Sequence, residues 1–236
     1  MWIPPVYYHS HPHYEIYFYI QGHSRIVVEG LDFKPVRGDV LIYPPGIMHR
    51  NIHLDTEIPY ERFYLFARKE FLQSISATDY DIPGTIENMT RGDRYFFHVG
   101  SEDLNQLTAQ VDRIIEASEN RSPDARLINR NRIGILIVQA LSMMTNREVL
   151  PQSEYSKGMS RLIRYINRHI SEPLTLDMLS EEFYASKYYI LREFKKYTGL
   201  SIHQYVIIRR ILLARELIQQ GVKPKDACGQ CGFSDY

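Results

Sequence analysis

Up to about residue 100 the apolar positions recur every second residue. Along 14–20, Tyr14, Ile16, Phe18 and Ile20 alternate with Glu15, Tyr17 and Tyr19, and aromatic and β-branched residues dominate, so this stretch is expected to be a strand. Glycine- and proline-bearing segments at 21–24, 36–39 and 43–46 separate short apolar runs at 25–29, 31–34 and 40–43. Runs at 60–66 and 95–99 complete the spacing of an all-β barrel or sandwich.

From Ser101 the period changes to 3.6. Leu104, Leu107, Val111, Ile114 and Ile115 form a stripe with Ser101 as N-cap, and a second helix runs from about Asp124 to Arg147 through Ile133, Leu136, Ile137, Ala140, Leu141 and Met144. The two stripes either close the barrel or form a dimer seam. The pattern divides the chain into a β segment at 1–100, a two-helix segment at 101–148, a polar linker with Pro and Gly at 149–157, and an all-helical segment at 158–236. In that last segment Leu162, Ile163, Ile166 and Ile170 share one face, Thr175, Ser186 and Ser201 cap three later helices, and Gly199 and Gly221 end two of them.

The helices at 175–184 and 186–198 are joined by a tight turn, the geometry in which a second helix can enter a major groove. Ile190, Phe194 and Tyr197 fall at i, i+4 and i+7 and pack inward, leaving Lys187, Tyr188, Leu191, Arg192 and Lys195 outward. That face offers donors for base edges and phosphates, plus an apolar contact for a thymine methyl. On its own it could equally be a solvated basic surface. A repeat changes the balance: Leu179, Ser180, Phe183 and Ser186 recur 48 positions later as Ala227, Cys228, Cys231 and Ser234, so a second helix-turn-helix is starting. Pro224 suits the first turn of its helix, Gly232 the left-handed turn position, and Ser234 the next cap.

Charge adds a direction. Residues 156–236 hold thirteen Lys and Arg against eight Asp and Glu, whereas the first 155 hold fifteen against twenty, which favours a polyanionic partner for the C-terminal part. The longest apolar run, 133–144, is too short to span a bilayer, no basic n-region opens the chain, and two cysteines form no disulfide framework. These features point to the cytoplasm. Cys228 and Cys231, at i and i+3, face the inside of the new helix and are expected to pack there, because neither two further zinc ligands nor a βαβ redox context accompanies them.

The segment from Thr175 to Gln220 with "CGFSDY" after it resembles the DNA-binding domain of AraC-type (AraC/XylS family) transcription regulators, through Phe194, Lys195, Lys196, Gly199, Tyr205, Arg210, Ala214, Leu217, Gly232 and Phe233. The resemblance implies two helix-turn-helix units joined by a long helix. Ala227, Cys228 and Gly229 depart from the family pattern, and Gly229 costs its helix about 1 kcal/mol relative to Ala. Lys187, Tyr188, Leu191 and Arg192 would then read bases, and Lys195, Lys196, Arg209 and Arg210 would touch phosphates, Arg210 alternatively bracing the linker helix. The chain ends at Tyr236, one step before the second recognition helix, so the natural protein is expected to continue.

"HPHYEIYFYIQG" and "GDVLIYPPGIMH" resemble the two motifs of the cupin barrel, the first shortened between His13 and Glu15, and such a barrel is a frequent effector domain of AraC-type regulators. The expected fold is therefore multidomain, an all-β cupin-like barrel followed by an all-α double helix-turn-helix domain. His11, His13, Glu15, Tyr17, Tyr19 and His49 are the expected effector-binding residues, for a sugar or another small polar molecule. The same His and Glu types form the metal set of cupin enzymes, but the regulator context favours a pocket without metal or other cofactor. The expected function is that of a ligand-responsive transcription regulator that binds double-stranded DNA sequence-specifically as a homodimer, with no enzyme activity. The alternative is a metal-dependent cupin enzyme fused to a DNA-binding tail.

Overall fold

The alternation along 14–20 becomes β1 (Tyr14–Gln21), the strand around which the N-terminal half is built. A computed structural model of the chain describes residues 8–54, 58–146 and 154–233, except for the side chains of 154–156. β1 pairs antiparallel with β4 (Asp39–Tyr43) and β6 (Glu61–Ala67) in a five-stranded sheet of order β6-β1-β4-β7-β8, where β7 is Phe96–His98 and β8 is Thr145–Asn146. A second sheet places β2 (Ser24–Val28) between β3 (Leu31–Phe33) and β5 (His49–His53).

Both faces of β1 are covered. Tyr14, Ile16 and Phe18 pack with Val40, Ile42 and Phe97 beneath α3 (Ser101–Ser118) and α4 (Pro123–Met143), whose Leu104, Leu107, Leu136, Ile137 and Ala140 complete that core. The helix stripes thus close over the sheet, leaving Ile115, Leu127, Ile128 and Ile135 exposed on the outside. On the other face Tyr17 and Tyr19 meet Ile26, Val28, Phe33, Tyr43 and Tyr95 between the two sheets. Hydrogen bonding does not join the sheets into a closed ring among the described residues.

Several details differ from the sequence expectation. Two short helices, α1 (Lys69–Ile75) and α2 (Ile82–Met89), interrupt the segment that alternation marks as all strand, and their Leu72, Ile82 and Ile86 extend the helix-side core. Gly100, rather than Ser101, occupies the N-cap of α3, so no side chain caps that helix. The linker expected at 149–157 falls largely outside the described residues, and α5 (Glu154–Arg168) begins within it.

The C-terminal half follows its cap signals closely. Thr175, Ser186 and Ser201 accept from Met178, Tyr189 and Gln204 amides at the starts of α6 (Leu176–Glu182), α7 (Lys187–Thr198) and α8 (Ile202–Gln219). Gly199 closes α7 in the left-handed conformation that a side chain resists. α9 (Pro224–Gln230) begins at its proline, and Ala227 and Cys231 are fully buried while Cys228 is half-buried, the packing role expected of them. Burial pushes the Cys231 thiol up, away from the thiolate. Gly232 follows at φ +84, with Ser171 O only 2.7 Å from where a Cβ would lie, so the turn tolerates no side chain. The cap expected from Ser234 lies outside the described residues.

Candidate effector site and nucleic-acid interface

Strand pleating decides which motif residues meet. Because β1 alternates, Glu15 turns with Tyr17 and Tyr19 toward the inside of the β half, and its register partner on β4 is Tyr43. Segment 8–11 joins the start of β5 through a bridge between His9 and His49, with N–O distances of 3.0 and 2.9 Å. His11 Nε2 then lies 2.7 Å from Glu15 Oε2 and His49 Nε2 lies 3.5 Å from the same oxygen. The His9 and His49 rings are 4.3 Å apart, and His49 stacks on Tyr43 at 4.1 Å. The converging pair is thus His9 and His11, one step earlier in "HSHPH" than the His11–His13 pair the motif suggested. In this frame three residues separate His11 from Glu15, against one between His13 and Glu15.

His13 stacks on His11 but stands at the rim, where Pro12, His13 and Pro45 meet Arg68, Lys69 and the Arg215–Glu216 end of α8 around a polar cleft of about 1120 Å³. Tyr17 and Tyr19 are buried deeper, and their hydroxyls are already engaged, Tyr17 with the Tyr60 hydroxyl and Tyr19 donating to Gly22 O. The Tyr43 hydroxyl, by contrast, is buried without a hydrogen-bond partner among the described residues. Sequence reasoning passed over Tyr43 because it completes an apolar run, although strand register placed it opposite Glu15. A buried hydroxyl left unpaired costs about 1–3 kcal/mol, so a group that satisfies it is expected beside it.

Burial pushes the Glu15 carboxyl up, but hydrogen bonds from His11 and His49 and their charges outweigh it and hold it down at about 2. The site therefore presents a fixed anionic acceptor between two imidazoles. His11, Glu15 and His49 also fit a divalent transition metal by donor chemistry, with their ligand atoms within 4.8 Å of one another. A metal there would be held by these three and would act as a Lewis acid on a bound oxygen.

The first helix-turn-helix unit presents the face expected of it. Ile190, Phe194 and Tyr197 are buried, whereas Tyr188 and Leu191 are exposed, and so are Lys195 and Lys196. Lys187 pairs with Asp177 of α6, and Arg192 pairs with its neighbour Glu193 at 2.8 Å while lying over the Tyr188 ring. Tyr184, in the turn at φ +49, is almost fully exposed and adds an aromatic ring that periodicity does not flag. Arg209 and Arg210 are placed elsewhere. Arg209 is bonded to Glu29 of the β half at 2.8 Å, and Arg210 donates to Ile170 O, Glu172 O and Gly232 O, bracing α8 against the ends of both units.

Residues 6–133 match the family profile of the AraC-like ligand binding domain, and residues 179–236 match that of a helix-turn-helix domain. Over 233 residues the chain is 26% identical to the uncharacterised HTH-type transcriptional regulator YbfI of Bacillus subtilis, spanning 96% of this chain and 78% of that protein. Over 230 residues it is 22% identical to the HTH-type transcriptional activator RhaR of Salmonella schwarzengrund, spanning 96% and 79%. The crystal structure of the AraC-like transcriptional activator CuxR aligns with a TM-score of 0.41 at 16% identity, covering 93% of this chain and 72% of that one. Among the described residues no helix is long and apolar enough to cross a membrane.

Proposed function

We propose, since this chain belongs to the AraC-like family of transcription regulators, a ligand-binding domain joined to a helix-turn-helix DNA-binding domain, that its effector is a small polyhydroxy molecule of the sugar class. It is a regulator rather than an enzyme. The observation that carries the effector reading is the cluster of His11, Glu15 and His49 beside Tyr43, which stacks on His49 and whose buried hydroxyl has no hydrogen-bond partner among the described residues. Two imidazoles, one carboxylate and one phenol offer hydroxyl groups both donors and acceptors, and the Tyr43–His49 stack gives a flat wall for a ring face. His13 stacks on His11 and lines the neighbouring cleft, while the Tyr17 and Tyr19 hydroxyls are already engaged.

A library of sugars and polyols, read by thermal shift, tests this. A binder raises the melting temperature because it binds only the folded state. His11→Phe and Tyr43→Phe should each remove that shift while the apo protein keeps its own transition; a shift unchanged in both would move the effector elsewhere.

On DNA, Lys187, Tyr188, Leu191 and Arg192 are assigned to base edges and Lys195 and Lys196 to phosphates, with Arg209 and Arg210 acting as braces. Arg192→Ala should cost about 1–3 kcal/mol on the cognate site and relax specificity at one position. Lys195→Ala should weaken binding to every sequence and flatten the dependence on salt by about one phosphate. Competition binding across single-base operator variants separates these, and equal, sequence-independent losses from both would sink the assignment. The homodimer expected from the helix stripes would use the outer faces of α3 and α4, where Ile115, Leu127, Ile128 and Ile135 are exposed.

A further inference from the structure

The turn between β2 and β3 consists of Glu29 and Gly30, both with positive φ, +47 and +84. Two-residue hairpins of this kind favour Asn or Gly at the first position, since a longer L side chain is strained there. Glu29 has no turn chemistry to recommend it. Its carboxylate instead accepts from Met48 N, Asn167 Nδ2 and Arg209 Nη1, each at 2.8 Å, so one buried anion ties the barrel's own backbone to α5 and α8 of the DNA-binding half. Tyr205 donates to Asn167 Oδ1 behind it.

Gly30 extends the junction. Its N–H donates to the Tyr8 hydroxyl, and its carbonyl accepts from the Tyr197 hydroxyl and from Ser160. A Cβ built on Gly30 would lie 3.1 Å from Ile163 Cβ and 3.2 Å from Ser160 Cα. The turn enters the helical half as a fitted key, and the last turn of α7 is held from the same side. Tyr8 N donates to Thr198 O at 3.0 Å and Arg50 Nη1 to Tyr197 O at 2.9 Å.

The residues that make these contacts are next in sequence to the effector cluster. Successive side chains of an extended segment point to opposite sides. His49 turns toward Glu15 and the His9 ring lies against it at 4.3 Å, whereas Tyr8 and Met48 turn the other way, into a core with Met159, Leu162, Ile163, Phe194 and Tyr205. The His9–His49 bridge fixes both segments together. One pair of backbone strands therefore carries the effector cluster on one side and the seat of the recognition helix on the other.

We infer that the Glu29–Gly30 turn, with segments 8–9 and 48–50, is a relay through which occupancy of the His11/Glu15/His49 site sets the position of α7. The inference rests on the effector reading given above for its input, but not for its mechanics. A ligand that displaces His9 or His49 displaces Tyr8 and Met48 with them, and so shifts whichever arrangement of α7 it binds better.

Hydrogen exchange on the full chain, read by mass spectrometry, tests the relay without any effector. Gly30→Ala and His49→Ala should each speed exchange of the amides at 195–200 about tenfold or more. The amides of 101–143, in α3 and α4, should be unchanged in both, and His13→Ala should leave 195–200 as in the wild type. Should Gly30→Ala fail to fold, Arg50→Met removes the bond to Tyr197 O alone and carries the same expectation. Unchanged exchange at 195–200 in His49→Ala overturns the relay, and so does a rise there accompanied by an equal rise in 101–143. A relay that passes this test beside a sugar library without any thermal shift would leave the coupling standing and remove only the effector reading.

Discussion

Replacing Phe194 by Ala should unfold the first helix-turn-helix unit and abolish DNA binding with it. The ring is fully buried and meets Tyr205 edge-on at 5.5 Å, in the core that also contains Leu179, Ile190 and Tyr197. Removing such a ring costs about 3–5 kcal/mol, through lost transfer free energy and the cavity left behind. α6 and α7 are short and owe their helicity to this packing, so the loss falls on a unit with little of its own to set against it. Urea unfolding followed by circular dichroism, with operator binding measured in parallel, checks the expectation. Wild-type affinity in Phe194→Ala would show that the unit is held by something other than this core.

The second large effect is expected at Glu29. Its carboxylate and the Arg209 guanidinium are 8% and 24% exposed, and removing one member of a buried pair leaves the other charge uncompensated. Glu29→Ala should cost about 3–5 kcal/mol. Arg209→Met on top of it should recover much of that loss, since a well-packed apolar replacement of both partners is often neutral. The unfolding midpoints of the two single variants and the double variant form the cycle that decides. A double variant as unstable as the sum of its parts would mean that the pair contributes nothing as a pair, and that the hydrogen bonds to Met48 and Asn167 carry the junction.

α6, α7 and α8 were legible because each carries a local signal, a capping Thr or Ser at its start and in α7 a glycine at its end, and α9 because of the proline that opens it; such signals need no knowledge of tertiary structure. β1 was legible from alternation, but not the fact that both its faces are buried, since a tyrosine reads as well for a wet surface as for a tyrosine-lined interior. α1 and α2, of seven and eight residues, are too short to establish a helical period, and the proline and glycine of "DIPG" mark a turn as readily as the start of α2. β5, "HRNIH", is polar because much of it is only half-buried, which hides it from any apolar pattern. In the candidate site the right residue types were visible, yet "HSHPH" offers two overlapping His-x-His frames. Only the bridge between His9 and His49 selects one of them. Arg209 looked like a phosphate contact because its partner, Glu29, is 180 residues away in sequence.

The core shared by Tyr8, Val27 and Met48 with the helical half bears on how such a protein can be taken apart. A boundary drawn through the linker is a boundary in composition, but not in packing. A chimera that grafts another regulator's DNA-binding half onto residues 1–146 would bring foreign side chains against Tyr8, Met48 and the Glu29–Gly30 turn. The smallest exchangeable part is therefore discontinuous: the helical half has to travel with residues 8, 25–30 and 48–50, the surface against which it is seated.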